Sequence, residues 1–461
     1  MQVEPLCVLE KATAPHSPTC TSSAARWLSC KVQRWPWRTK RSFWGPSDVE
    51  GATEHVSLVA DGQRTRVSAD NTVITGGAVG AMVQKGANLA ADSMRIEHIT
   101  KHGVVVQGTK SAAQPCSCTL ETMPWAEQPV TVERMETKSL SYPAVVAIAT
   151  SVQTVGVLAL DGGCVQLAGV TAERFDCGLI AKRGSDMTVT ASKAENCKIL
   201  GCVVMDATLS ASCMVIMQPP SAPVGCAVLG RLGSAKATLT ACTVKGGKNH
   251  GVLAGGEGAT LSCERGIVAN SSDSCVSVVG GAHAQIDTTH VSGSKQGSGV
   301  ISHGQGTVVR VTRCTLEDNY GSGALVGDNV VVTVNRSHTK GNGMGYVSWQ
   351  GAQLFLKRSD SVGDGSGVVV HGGMVTCHEV DMKETTHGGV LVSSGGTALL
   401  FGCSVERSNG KGVAVIDFGS KVHMQGGPWL SQKRVVFCSV GYMHGVPSKR
   451  SQYRIAKQAC E

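Results

Sequence analysis

A glycine followed by three mostly apolar residues recurs along this chain at nearly constant spacing. Clear copies are residues 156–159 (GVLA) and residues 178–181 (GLIA). From Gly156 to Gly412 successive copies begin 22–26 residues apart, and Cys275 replaces the glycine once. A fixed period of this size is typical of a repeat protein, in which each repeat buries its apolar face against its neighbours.

Each repeat has room for short strands and turns but little room for helix. A second β-like run follows the glycine phrase, as in residues 237–240 (ATLT) and 308–311 (VVRV), and 57 of the 461 residues are glycine. A leucine-rich repeat has a similar period, but its Leu-x-x-Leu-x-Leu frame is missing. The pattern predicts an all-β fold: a right-handed parallel β-helix of roughly fourteen coils over residues 71–428.

The glycine that begins each phrase is expected to lie at a sharp turn with positive φ, which only glycine adopts without steric cost. Asparagine, which also tolerates the left-handed region, recurs two to five residues upstream and is expected to be structural. These asparagines are Asn196, Asn249, Asn270, Asn319, Asn342 and Asn409.

Three segments depart from the repeat. Residues 1–60 are basic and contain four tryptophans, which predicts a disordered or capping segment. Residues 109–154 contain four prolines and are interpreted as an irregular insertion. Residues 429–461 are expected to form a basic cap or tail. Residues 1–41 and 430–461 each carry a net charge of +5, so the rest of the chain carries −2 of the total +8, which argues against nucleic-acid binding.

The nineteen cysteines are interpreted mainly as core residues. Cys242, Cys263, Cys314 and Cys403 each end a second-strand phrase, and buried thiols behave as small apolar groups. Cys213 and Cys377 have similar contexts. Zinc sites need two ligand pairs at characteristic spacing, and no second pair follows Cys116-x-Cys118. We therefore expect neither a metal nor another cofactor.

The glycine phrase, its period and the asparagine-bearing turns resemble the pectin-lyase-like superfamily, in particular its carbohydrate-binding and sugar-hydrolase repeat group. The resemblance implies a right-handed β-helix and covers about residues 71–428. It also implies carbohydrate binding or modification by a lyase, hydrolase or epimerase, although the superfamily includes non-catalytic relatives. The Asp-Asp and Gly-His-Gly motifs of polygalacturonases are missing, as is the clustered acidic calcium site of pectate lyases. We therefore predict no catalytic residues.

A possible sugar-binding patch consists of His303, Trp349 and His371. Each lies four residues after its glycine, so the three side chains are expected on the same side of the coils. A saccharide function would be favoured if Asp360 or Asp364 joined them in a groove.

The main hypothesis is instead a non-catalytic scaffold that recognises a protein partner or associates with itself. It rests on an apolar stripe formed by the second residue after each glycine, because alternate side chains of a strand share a face. The absence of a long apolar run and of an N-terminal signal pattern predicts an intracellular, cytoplasmic protein. The predicted binding residues of this stripe are Leu158, Ile180, Val203, Leu253, Ile301, Leu325, Val347, Val369 and Leu391.

Overall fold

The structure is a computed structural model. The chain consists of two compact units, Met1–Thr243 and Val244–Glu461. The predicted segments 1–60 and 429–461 lie almost wholly outside the described residues. Those residues are 56–63, 65–122, 142–231 and 233–426, together with the strands Thr21–Ser22, Val435–Cys438, Tyr442–His444 and Ile455–Gln458.

Within each unit, each regular coil contributes one strand to each of three parallel sheets. In either unit these are called sheet 1, sheet 2 and sheet 3, in the order in which the chain enters them. The glycine phrase forms the strand of sheet 1, and the second β-like run forms the strand of sheet 2. Each strand pairs in parallel with the equivalent strand one coil later, as Val157 does with Leu179. The described residues of the two units contain fifteen strands of the sheet 3 type. The predicted all-β, right-handed parallel β-helix is therefore confirmed.

The first unit builds its sheets from short strands. In sheet 1, parallel pairing begins at Val56–Asp61, upstream of the predicted start at residue 71. The strands of sheet 1 are Val56–Asp61, Val79–Gln84, His102–Gln107, Val155–Leu160, Cys177–Lys182, Leu200–Met205 and Val224–Leu229. Those of sheet 2 are Arg66–Ser68, Asn88–Asp92, Ala112–Cys116, Cys164–Ala168, Asp186–Thr190, Thr208–Ser212 and Ala235–Thr240. Those of sheet 3 are Thr21–Ser22, Val73–Thr75, Arg95–Ile99, Thr119–Thr122, Thr171–Glu173, Lys193–Glu195, Val215–Met217 and Thr243–Lys245, the last at the unit boundary.

The second unit repeats the same three-strand coil. The strands of sheet 1 are His250–Gly255, Ser274–Val279, Val300–His303, Ser322–Val326, Met344–Trp349, Ser366–His371, Gly388–Ser393, Lys411–Val415, Val435–Cys438 and Ile455–Gln458. Those of sheet 2 are Ala259–Glu264, His283–Asp287, Val308–Thr312, Val331–Asn335, Gln353–Lys357, Met374–His378, Thr397–Phe401, Lys421–Gln425 and Tyr442–His444. Those of sheet 3 are Ile267–Ala269, His290–Ser292, Thr315–Glu317, His338–Lys340, Asp360–Val362, Asp381–Lys383 and Ser404–Glu406.

The core is the narrow interior of the coils. In the strand Asp186–Thr190, Met187 and Val189 point inward and are buried, whereas the alternate residues are exposed. This two-residue alternation is what a strand with one face in the core requires. Small and medium side chains fill the interior, which explains why aromatic residues make up only 4% of the chain.

The glycines that begin the phrases recur for a reason other than the predicted positive φ. Those described, such as Gly103 and Gly178, have no left-handed backbone. A Cβ atom on Gly178 would lie 2.7 Å from the carbonyl oxygen of Gly201, the equivalent glycine one coil later. Neighbouring coils therefore approach too closely at Gly178 for a side chain, although Cys275 occupies the equivalent position in one coil of the second unit. The expectation of a φ-driven glycine was wrong.

A ladder of buried polar side chains stabilises the turns between sheet 3 and sheet 1 in the second unit. The amide of Asn342 donates from Nδ2 to the carbonyl of Leu316 and to Asp364, both at 2.9 Å, and its Oδ1 accepts from Asn319. Thr339 and Ser361 also donate to Asp364, each at 2.6 Å. Burial raises the pKa of the Asp364 carboxyl, while these hydrogen bonds oppose the shift. The structural interpretation of Asn319 and Asn342 is confirmed.

The cysteines at the ends of the sheet 2 phrases are core residues. Cys242, Cys263, Cys314 and Cys403 are buried, as is Cys377, and all the described cysteines are free thiols. Burial raises the pKa of the Cys314 thiol to about 11, so it stays protonated at neutral pH. The interpretation of these residues as core is confirmed. Cys213 differs: it occupies an exposed left-handed turn and was wrongly grouped with them.

The predicted insertion at residues 109–154 is more regular than its prolines indicate. Ala112–Cys116 and Thr119–Thr122 are strands of an ordinary coil. The departure from the repeat therefore comes after Thr122. It includes the helix Tyr142–Ser151, called α1, which has proline at its second residue and no charged side chain. Of the described helices, none has the length and apolar character needed to cross a membrane.

Candidate functional site

The predicted apolar stripe lies on the outer face of sheet 1, but little of it is open to solvent. Each of its residues follows an inward-pointing one, as Leu158 follows Val157. Four positions are half-buried: Leu158, Ile301, Leu325 and Leu391. Five are buried: Ile180, Val203, Leu253, Val347 and Val369.

In the first unit, α1 accounts for part of this burial. Lys182, the last residue of a sheet 1 strand, donates from Nζ to the carbonyl of Ala149 at 3.0 Å. Tyr142 donates from Oη to the carbonyl of Gly230 at 2.5 Å. Val145 and Ala149 of the helix have no exposed surface. The two hydrogen bonds thus place the helix beside sheet 1, where its buried apolar side chains are removed from water.

The three residues of the predicted sugar patch do share one edge of the second unit. Trp349 pairs with His371 on the next coil, and His371 pairs with Ser393 on the one after. On the preceding side, Ser302, Val326 and Ser348 are register partners, so His303 and Gly327 occupy the same position as Trp349. These five residues, called here the Trp349 row, are His303, Gly327, Trp349, His371 and Ser393.

Trp349 is a large aromatic side chain that remains 40% exposed. One face of its indole stacks on the imidazole of His371, with ring centroids 4.1 Å apart and planes 28° apart. His371 is held in turn by Ser393, whose Oγ lies 3.0 Å from Nδ1. Because the ring separation is close to the strand spacing of about 4.8 Å, the rings stack along the coil axis. The second face of the indole must therefore point toward the preceding coil.

That preceding coil contributes Gly327, which has no side chain. A Cβ atom at Gly327 would meet only the Cβ of His303, 4.0 Å away. The nearest row side chain beyond the open face of Trp349 is thus His303, two coils or about 9.6 Å away. We call this gap, bounded by Trp349, Gly327 and His303, the indole slot.

A carboxylate lies at the side of the indole slot. Asp328 follows Gly327 in an exposed left-handed turn, and its Oδ2 is 4.0 Å from Nδ1 of His303. The corresponding left-handed turn positions on neighbouring coils are Gly304, Gln350 and Gly372. Among these four equivalent turn positions, Asp328 is therefore the one that carries a carboxylate.

The two aspartates that might have joined the patch lie elsewhere. Asp364 is fully buried in the polar ladder. Asp360 belongs to sheet 3, where its Oδ1 lies 2.7 Å from Nδ1 of His338. The expected convergence of either with Trp349 does not occur, because both come after the chain has left the edge of sheet 1. Within the described residues, no three His, Cys, Asp or Glu side chains are grouped so that they could hold a metal ion.

Comparison with known proteins agrees with the fold. The family profile for the right-handed beta helix region matches residues 274–427. No curated protein sequence is significantly similar to the chain. The match confirms the resemblance to right-handed β-helix proteins over those residues.

Several solved structures are similar at low identity. The periplasmic alginate epimerase AlgG is 9% identical over 78% of both chains, with a TM-score of 0.46. The A-module of the Azotobacter vinelandii mannuronan C-5 epimerase AlgE4 is 12% identical over 85% of this chain and 91% of its own, with a TM-score of 0.32. The Dettilon tailspike protein is 11% identical over 78% of this chain and 62% of its own, with a TM-score of 0.31. Likeness at this level carries no information on activity.

Proposed function

The chain is a right-handed parallel β-helix protein, and on this scaffold we propose that the indole slot binds a saccharide. The observation that carries the proposal is the free face of Trp349 opposite Gly327. A flat apolar face beside a few polar groups is a common arrangement for recognising sugar rings, which are apolar on one face and bear hydroxyls around their edge.

Each part of the slot has a separate task. The indole of Trp349 would cover the C–H face of one pyranose ring and exclude water from it. Asp328 would accept hydrogen bonds from two ring hydroxyls, and His303 would close the far side. His371 supports the indole from behind, which reduces the side-chain entropy lost when a ligand binds.

The proposal concerns binding without bond cleavage. Glycoside hydrolysis generally uses two carboxyl groups that flank the scissile bond. Asp328 is flanked by Gly304, Gln350 and Gly372 at the equivalent turns, so these turns supply one carboxylate. A ligand held by one carboxylate, one imidazole and one indole is oriented but has no paired acid and base.

Recognition of a protein through the sheet 1 stripe stays a prediction, and the burial of five of its nine residues supports it less well. A stripe that other side chains already cover has little apolar surface left to bury against a partner. Trp349, by contrast, is an exposed aromatic residue with a preformed gap beside it.

A polysaccharide screen tests the slot. Purified full chain is titrated with neutral and acidic polysaccharides, with and without calcium, and both binding and product release are recorded. For any saccharide that binds, Trp349→Ala should weaken binding about two- to tenfold, since aromatic stacking contributes about 0.5–1.5 kcal/mol. Tyr320→Ala is the matched control, because Tyr320 is 75% exposed in the same unit but outside the Trp349 row.

Equal binding by the wild type and Trp349→Ala would contradict the proposal. Failure to bind any member of the panel would contradict it as well. Release of product by the wild type would instead require a catalytic function.

A further inference from the structure

A second exposed surface lies on the outer face of sheet 2 in the second unit. Its outward side chains form an apolar band across adjacent coils. Val308 and Val331 are register partners and are 46% and 40% exposed. Phe355 lies on the next strand, one outward position along from Val331, because its register partner is Thr333. Leu399 and Phe401 lie two strands further on, and all three residues are half-buried. Exposed apolar side chains on several consecutive strands form a patch, and patches of this kind mark contact surfaces.

The aromatic rings of this band are already stacked on one another. The ring centroids of His378 and Phe401 are 4.7 Å apart with planes 14° apart. On its other side, Phe401 meets His423 with ring centroids 6.1 Å apart in a tilted arrangement. Phe401 therefore has a ring neighbour on each of the two adjacent coils, stacked on one side and tilted on the other. A sugar or a nucleobase needs a free ring face, whereas a protein side chain can pack against ring edges.

Positive charge borders the band. Lys357 is the last residue of the strand that carries Phe355. Arg336 lies beside it, and the backbone amide of Arg336 donates to the carbonyl of Lys357 at 2.9 Å. Arg310 lies two residues after Val308 on the same strand and also faces outward. None of these three cations forms a salt bridge with another described residue, although the charge of Lys357, after that of Arg358, helps to lower the pKa of the Glu379 carboxyl. They contrast with Arg358 one coil later, whose Nε lies 2.8 Å from Glu379.

We infer that this face of sheet 2 is a docking surface for an acidic protein segment that carries apolar or aromatic side chains. An apolar centre with aromatic residues and arginine is the composition that distinguishes protein interfaces from the rest of a surface. The three cations outside the salt bridges supply charge complementarity, which sets the sign of the partner. The inference does not depend on the indole slot, which lies on the edge of a different sheet.

The test uses synthetic acidic polypeptides as probes for the full-length chain immobilised on a sensor surface. Poly(Glu,Tyr) presents acidic and aromatic side chains, and poly(Glu) presents charge alone. We expect poly(Glu,Tyr) to bind more tightly than poly(Glu), and both to weaken as salt rises. Dextran sulfate and oligo(dT) serve as polyanions that are not proteins.

Two pairs of variants locate the site. The double variant Arg336→Gln, Lys357→Gln should weaken poly(Glu,Tyr) binding at least fivefold, whereas Lys295→Gln, Lys340→Gln removes the same charge elsewhere in the unit and should not. Val331→Glu should also weaken binding, because it places a negative charge in the band, where it repels the acidic probe. Ile267→Glu is its control, since Ile267 is 39% exposed on sheet 3.

The outcomes separate this surface from the indole slot. Trp349→Ala should bind poly(Glu,Tyr) as the wild type does, whatever the polysaccharide screen gives. Absence of poly(Glu,Tyr) binding would overturn the inference, as would equal weakening by the control variants. Tighter binding of dextran sulfate or oligo(dT) would also overturn it, because the surface would then recognise polyanions of another class.

Discussion

At the scale of single residues, glycine has two different tasks in this protein. Gly323 begins a sheet 1 phrase, and a Cβ atom there would lie 2.8 Å from the carbonyl oxygen of Gly345 on the next coil. Gly327, four residues later, has no atom nearer than 4.0 Å to such a Cβ. The repeat revealed the position of the first glycine from sequence alone. Its physical reason was missed, because the clashing atom belongs to the next coil rather than to the local turn.

The difference between the two glycine positions can be measured by adding one methyl group, as a Gly→Ala substitution, at each. Gly323→Ala should lower the free energy of unfolding by about 1–3 kcal/mol, as overpacking in a close-packed region generally does. Gly327→Ala should be nearly neutral. Thermal and urea unfolding of the two variants would test this. Equal stability of the two would mean that adjacent coils can move apart at the phrase glycines without cost.

At the scale of elements, turns in the second unit depend on side chains that pair from coil to coil. Asn319, Asn342 and Asp364 occupy equivalent positions and satisfy one another in the interior. The asparagines could be recognised in the sequence because they recur before the glycine phrase. The part played by Asp364 could not, since nothing local distinguishes a buried aspartate from a surface one.

Removal of one side chain from the buried polar ladder should destabilise the coil. Asn342→Ala leaves the carbonyl of Leu316 and the amide of Asn319 without their partner, and an orphaned buried polar group costs about 1–3 kcal/mol. We expect a clear decrease in the unfolding midpoint. Asn409→Ala is the matched control, because Asn409 precedes its glycine in the same way but is exposed. Equal midpoints for the two variants would show that the ladder contributes nothing.

The helix α1 is the element that sequence analysis did not find. Its residues YPAVVAIATS have no polar face, so they lack the 3.6-residue alternation by which a surface helix is recognised. The helix is stabilised instead by contact with sheet 1, which only the tertiary structure reveals. The same contact explains why an apolar stripe that looked exposed in the sequence is partly covered.

At the scale of the whole molecule, periodicity determined most of what could be predicted. A fixed repeat placed His303, Trp349 and His371 on one edge, because residues at the same distance from successive glycines stack above one another. It could not show that Trp349 rests on His371 rather than on a ligand. Nor did it single out Gly327 and Asp328, since a site that depends on a missing side chain has no motif.

The most direct test of the indole slot fills it without touching Trp349. Gly327→Leu should be accommodated, because the space beside Gly327 is open and its φ is not left-handed. The measurement is a calorimetric titration of wild type, Gly327→Leu and Gly327→Ala with the saccharide that binds best in the screen. The slot predicts that Gly327→Leu loses binding at least tenfold while its fold and Trp349 remain intact, and that Gly327→Ala retains most of it. Wild-type affinity in a folded Gly327→Leu variant would contradict saccharide binding at this site.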